Sequence, residues 1–145
     1  MQLATPRPRK PTVLFVDDES MICRAMSLLF PRHGLDIITV NTVAEACTVL
    51  REVNIDAAVI DYRLEHGECG TDVVEFIRRI RPELNSRILM ISGDVSDQPY
   101  HTITEKFRLP FLPKPFDIGQ VILILRQLLA RDLRPAPAQG TAAAT

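Results

Sequence analysis

No two cysteines in this chain stand at C-x-x-C spacing, and the three present, Cys23, Cys47 and Cys69, are odd in number and far apart. A disulfide framework and a clustered thiolate metal or redox site are thereby excluded, and a reduced, cytoplasmic protein is expected. Nor does any apolar run approach the ~18 residues of a membrane span. The stretch Met1 to Lys10 holds prolines and basic residues but no apolar signal core, so neither secretion nor insertion is indicated. An excess of charge of one sign is lacking as well: 17 Lys and Arg against 18 Asp and Glu leave a formal net charge of −1. That balance gives no electrostatic ground for a nucleic-acid or membrane partner. The basic groups Arg7, Arg9, Lys10 and Arg78, Arg79, Arg81 read as a tail and a solvated helix face. His33, His66 and His101 are scattered, which argues against a histidine metal site, and no internal repeat is visible.

The 145 residues fit one domain able to bury its own core. Strand-like and helix-like patterns alternate five times, which predicts an α/β fold: a doubly wound, five-stranded parallel sheet in a three-layer α/β/α arrangement. The first helix is expected from Glu19 or Ser20 with Ile22, Ala25, Met26 and Leu29 buried, ending at Pro31 and Gly34. Leu35 to Val40 reads as the second strand. Thr42 and Glu45 have capping-box spacing for a helix through Glu52. Ala57 to Asp61 and Arg87 to Ile91 read as buried strands flanking a helix that opens at Gly70. Indifferent helix formers at Thr102, Ile103 and Thr104, with Pro99 tolerated only in a first turn, predict a short or mobile fourth helix. Phe111 and Leu112 form the last strand, and Asp117 caps a helix from Ile118 to Arg131. The expected organisation is a tail over residues 1–11, a domain over 12–132, and a Pro/Ala-rich disordered tail over 133–145.

Polar residues follow four of the apolar runs: Asp17 and Asp18 after Val13–Val16, Asp61 after Ala57–Ile60, Ser92 after Ile88–Ile91, and Lys114 after Phe111–Pro113. In an open parallel sheet the carboxyl ends of the strands share one edge, where ligand crevices form. Three acids, a hydroxyl and an amine therefore converge. Two carboxylates about 4 Å apart repel by around 4 kcal/mol at an effective dielectric of 20, so the cluster calls for a counter-charge such as a divalent cation. Alone, an Asp pair after a strand is commonly a helix-capping turn, and Ser92-Gly93 an ordinary turn.

Taken together, Asp17-Asp18, Asp61, Ser92 and Lys114-Pro115 resemble the receiver domain of two-component response regulators, over about Thr12 to Arg131. The resemblance implies a flavodoxin-like receiver fold and a phosphorelay phosphoprotein that accepts a phosphoryl group on Asp61 from a sensor histidine kinase or phosphotransfer protein. It further implies Mg2+ (or Mn2+) bound directly by Asp18 and Asp61, with Asp17 acting through water and Arg63 contributing its backbone carbonyl. Lys114 and Ser92 would contact the phosphoryl oxygens, the Lys-Pro bond would be cis, and Ser92 and Phe111 would form the switch pair. No turnover of a separate substrate is expected.

Two departures stand out. The loop Tyr62 to Gly70 has Glu65 where many receivers carry Pro, and its glycine falls one residue late; Gly93 to Pro110 lacks the usual Ala-Gly pattern. Arg63 and Asp94 are expected to pair across the approach of water. Ile122, Leu123 and Ile124 are expected to present an apolar partner face, with a phosphorylation-linked homodimer as one use. Arg134 to Thr145 is too short for a DNA-binding module, so a single-domain regulator acting through protein contacts is expected, the alternatives being the receiver half of a truncated transcription factor or a haloacid-dehalogenase-like phosphatase.

Overall fold

The computed structural model describes residues 9–93 and 97–133. Five strands form the sheet: β1 (Thr12–Val16), β2 (Asp36–Val40), β3 (Ala57–Asp61), β4 (Ile88–Ser92) and β5 (Phe111–Pro113). All neighbours pair in parallel in the order β2-β1-β3-β4-β5. The winding direction reverses at β1, which opens a crevice at the carboxyl ends of β1 and β3. β3 and β4 are buried at every position, as strands covered on both faces must be.

Among the described residues four α-helices connect them, α1 (Ser20–Leu29), α2 (Val43–Glu52), α3 (Gly70–Ile80) and α4 (Asp97–His101), and α5 (Ile118–Leu133) follows β5. Strand alternation sorts the core into two clusters. Leu14, Val16, Ala58, Ile60, Ile88 and Met90 face α2 and α3, while Val13, Phe15, Ala57, Val59, Leu89 and Ile91 face α1 and α5. The three-layer, doubly wound arrangement is as expected.

Local chemistry explains several of the helix starts. Thr42 Oγ1 accepts the Glu45 N–H at 3.1 Å, and Glu45 Oε1 in turn accepts the Asn41 N–H and the Thr42 hydroxyl, each at 3.2 Å. The capping box is therefore closed one residue further out than its usual form. Asp117 Oδ1 accepts the Gly119 N–H at 3.1 Å and starts α5. Pro99 falls in the first turn of the short α4, and the chain then widens into a π-helical segment over Thr102–Lys106. That widening seats Ile103 and Phe107 in the core beside α3.

Several side-chain expectations need correction. On α1, Met26 is buried, but the second buried residue is Cys23, while Ile22, Ala25 and Leu29 are only half-buried. The helix is rotated toward the β1 end, where Cys23 Sγ donates to the Asp17 carbonyl at 3.2 Å. On α5, Ile122 belongs to the core and not to a partner face: it is 4 % exposed, and Ile124 also packs against the core. The sheet contact is wide enough to take adjacent residues Val121 and Ile122 together with Leu125 and Leu128, leaving only Leu123 of the three outside, at 59 % exposure. α5 also continues to Leu133. The remaining residues of the two expected tails, 1–8 and 134–145, lie outside the described residues.

The β3–α3 loop accommodates its late glycine by folding on itself. Arg63 and Cys69 form an antiparallel bridge, and between them a 3-10 turn, Glu65–Gly67, carries His66 and Gly67 at φ of 61° and 75°. The chain thus returns Gly70 to the end of β3, its N–H donating to the Tyr62 carbonyl at 2.7 Å. A Cβ at Gly70 would lie 2.0 Å from the Asp61 carbonyl oxygen, whereas one at Gly67 would meet nothing within 4 Å. Gly70→Ala is therefore expected to lower stability by on the order of 2–3 kcal/mol through overpacking. Gly67→Ala is expected to cost roughly 1 kcal/mol from its left-handed backbone alone. Urea midpoints of the two variants check the ranking.

Candidate functional site

Four strand ends deliver the polar residues to one place. Asp17 follows β1 with its N–H bound to the Val40 carbonyl, Asp61 closes β3, Ser92 closes β4, and Lys114 follows β5 with its N–H on the Ser92 carbonyl at 2.8 Å. The Lys114–Pro115 peptide is cis. Asp17, Asp61 and Ser92 are the buried polar side chains among the described residues, at 0 %, 4 % and 0 % exposure.

The Lys114 ammonium organises the centre. Nζ lies 2.7 Å from Glu19 Oε1, 2.9 Å from Asp61 Oδ2 and 3.0 Å from Asp17 Oδ2. The first two are hydrogen bonds; the third is a charge contact outside hydrogen-bond geometry, which leaves the buried Asp17 Oδ2 without a hydrogen-bond partner. Asp17 Oδ1 accepts the Glu19 N–H at 2.9 Å. Behind it, the Asp17 carbonyl is held by Asn41 Nδ2 at 2.9 Å as well as by Cys23.

Burial sets the proton affinities. It pushes the Asp61 carboxyl up to about 7, opposed by the Lys114 hydrogen bond, assisted by the neighbouring Asp17 charge and opposed again by the Arg63 backbone N–H. Asp17 is raised for the same first reason. For Lys114, burial alone would lower the value, but its contacts with the Glu19, Asp61 and Asp17 carboxylates outweigh burial and hold it above the usual range. Burial and the Asp17 charge push the Cys23 thiol up to about 11, so that sulfur is a packing and hydrogen-bonding group.

The expected residues converge with one exchange. Asp17, Asp61 and Lys114 meet, but the carboxylate oxygens that lie within 4.8 Å of one another belong to Asp17, Glu19 and Asp61, without Asp18. Lys114 holds those three acids beside its ammonium. Glu19 was missed because a helix start explained it; its signal was a third consecutive acid after β1. Arg63 meets Asp61 through its N–H, and its guanidinium lies over the Tyr62 ring at 5.7 Å. Phe111 is half-buried with the Tyr100 ring edge-on at 5.9 Å. Asp94, the expected partner of Arg63, lies outside the described residues. Cys69 Sγ sits 3.0 Å from Thr71 Oγ1 at the start of α3.

A hard divalent cation suits this donor set. The buried Asp17 and Asp61 carboxylates converge, Asp17 Oδ2 lacks a hydrogen-bond partner, and both groups offer oxygens of the kind magnesium prefers.

The response regulator receiver domain matches residues 13–126 as a sequence family. The chain belongs to that family. This membership removes the dehalogenase-like alternative. Among curated relatives, the photosynthetic apparatus regulatory protein RegA of Cereibacter sphaeroides is 30% identical over 87% of this chain and 66% of its own length. The probable transcriptional regulatory protein TcrX of Mycobacterium tuberculosis is 31% identical over 83% and 50%. The DNA-binding transcriptional regulator NtrC of Azospirillum brasilense is 25% identical over 86% and 25%. This receiver thus spans a quarter to two thirds of the length of those relatives. A response regulator receiver protein from Sinorhizobium medicae superposes with a TM-score of 0.72 at 27% identity, over 83% of this chain and 94% of that one. A CheY-like receiver from Methanospirillum hungatei shares the fold at a TM-score of 0.76 and 18% identity, over 85% and 96%. No helix among the described residues is long and apolar enough to cross a membrane.

The Asp61 shift carries a pH signature in the metal-free receiver. Its folded value of about 7 exceeds the ordinary 3.8, so the folded state holds an extra proton between them. The stability this lends is complete below pH 4 and is lost as pH rises through 7. Asp61→Asn, which cannot ionise, is therefore expected to match wild type near pH 4 and to exceed it by on the order of 4 kcal/mol at pH 8. Denaturation midpoints in the presence of a chelator at the two pH values measure the difference.

Proposed function

We propose that this receiver takes a phosphoryl group from phosphohistidine onto Asp61 and passes the signal on through protein contacts. The carrying observation is the buried Asp61 carboxylate at the end of β3, held at 2.9 Å by the Lys114 ammonium in a centre made of strand ends. An Asp61 oxygen attacks phosphorus; the new P–O bond forms as the P–N bond breaks, and the electron pair leaves with the imidazole, which takes up a proton. Lys114 supports the charge on one phosphoryl oxygen, and the Ser92 hydroxyl donates to another. Magnesium or manganese would be held by Asp61, Asp17 and Asp18 with the Arg63 carbonyl, and would supply charge neutralisation at the phosphoryl oxygens. The group is gained and lost on the protein itself, with no separate substrate turned over.

The docking side for the donor protein is supported by α1. Met21 and Leu28, seven residues apart on one helix face, are 82 % and 70 % exposed. Beside Met21 a groove lined by Ile22, Ala25 and Phe116 runs up to Lys114. On the output side, Leu123 remains as the exposed apolar residue of α5, and the Tyr100–Phe111 pair suits a switch that responds to Ser92. A second reading, the receiver part of a longer DNA-binding regulator, is favoured by the partial coverage of relatives named as transcriptional regulators.

Incubation with acetyl phosphate and magnesium, followed by intact mass, tests the proposal. Wild type is expected to gain one phosphoryl group and Asp61→Ala none, with the variant's circular dichroism unchanged. Lys114→Ala is expected to label more slowly, by tenfold or more on the order expected for loss of a charge-assisted contact. Undiminished labelling of Asp61→Ala would sink the assignment.

A further inference from the structure

We propose that Glu19 is a latch on Lys114, a positioning residue whose carboxylate occupies the side of the ammonium that an incoming phosphoryl oxygen must take. This inference rests on the phosphoryl-acceptor reading of Asp61. Three carboxylates surround Nζ at 2.7, 2.9 and 3.0 Å, and the Lys114 side chain retains only 11 % exposure. Glu19 and Asp61 take two of the three ammonium N–H donors and Asp17 Oδ2 crowds Nζ at 3.0 Å, so an arriving phosphoryl oxygen competes with these carboxylates for the ammonium. Asp61 is the nucleophile and stays beside the phosphorus it attacks. Asp17 is fully buried, its Oδ1 fastened to the Glu19 N–H.

Glu19 is the one free to leave. Its side chain is 56 % exposed, and it precedes α1 without capping the helix through that side chain. Its contact with the ammonium, at 2.7 Å, is nonetheless the shortest of the three. The latch therefore opens toward solvent at little structural cost, and its strength sets part of the barrier to phosphoryl uptake. Opening also frees a Lys114 N–H at the moment the phosphoryl oxygen arrives, so the lysine is never left with an unmatched charge in its buried seat.

Three variants separate the latch from simpler roles. Glu19→Gln and Glu19→Ala weaken or remove the contact, whereas Glu19→Asp keeps the charge and shortens the arm by one methylene, breaking the 2.7 Å bond. All three are expected to take up phosphoryl from acetyl phosphate about three- to fivefold faster than wild type at low salt, the range of an exposed ion pair. Mg2+ affinity by calorimetry is expected to stay within about twofold, since magnesium takes only one or two carboxylates. Without phosphodonor or metal, Lys114 should acylate faster with a small amine reagent in all three variants, read by peptide mass. Faster uptake in Glu19→Gln with wild-type behaviour in Glu19→Asp would reduce Glu19 to charge repulsion and overturn the latch. A tenfold loss of Mg2+ affinity would make Glu19 a metal ligand and also overturn it, as would unchanged Lys114 acylation. Failure of wild type itself to gain mass would instead defeat the acceptor reading, while the acylation comparison would still decide the latch.

Discussion

One ammonium group lets the centre exist. Asp17, Glu19 and Asp61 bring carboxylate oxygens within 4.8 Å of one another, and two of those side chains are almost wholly out of water. Ionised and unpaired, a pair of them at about 4 Å would cost around 4 kcal/mol even at an effective dielectric of 20. Lys114 offsets that repulsion, and burial shifts what remains onto the protons of Asp61 and Asp17. The site is thus an acid cluster held half-discharged by a single basic residue from a different strand.

The sheet makes that arrangement reproducible. β1, β3, β4 and β5 are all parallel, so the residues that terminate them are level with one another at one edge. Apolar packing on both faces fixes each strand in register, and a slip of one residue would send a whole row of core side chains to the opposite layer. Chemistry at the edge is therefore set by the core beneath it. Asn41, Cys23 and Val40 add a local brace, gripping the Asp17 backbone at its carbonyl and its N–H.

Much of this is legible in the sequence. Strand ends and their polar residues follow from short apolar runs bounded by acids, and the Thr42 and Asp117 caps follow from side chains that accept backbone N–H groups. What escaped depended on orientation. The rotation of α1 that buries Cys23 depends on a sulfur-to-carbonyl contact, and the burial of Ile122 depends on how broadly α5 lies against the sheet. Glu19 was hidden for a related reason: its partner Lys114 is 95 positions away, and nothing local distinguishes an acid that starts a helix from one that reaches across a crevice. The π-helical segment at Thr102–Lys106 likewise answers to the seating of Ile103 and Phe107, not to the propensity of its own residues.

The pinched β3–α3 loop separates two kinds of variation. Its extra residue is absorbed between Arg63 and Cys69, at the His66–Gly67 turn, and the chain re-enters the fold at Gly70 against the Asp61 carbonyl. Length can therefore change at the rim without altering the floor. A lineage carrying this architecture is free to lengthen, shorten or recolour the surface that a signalling partner meets, while the reactive carboxylate keeps the same footing.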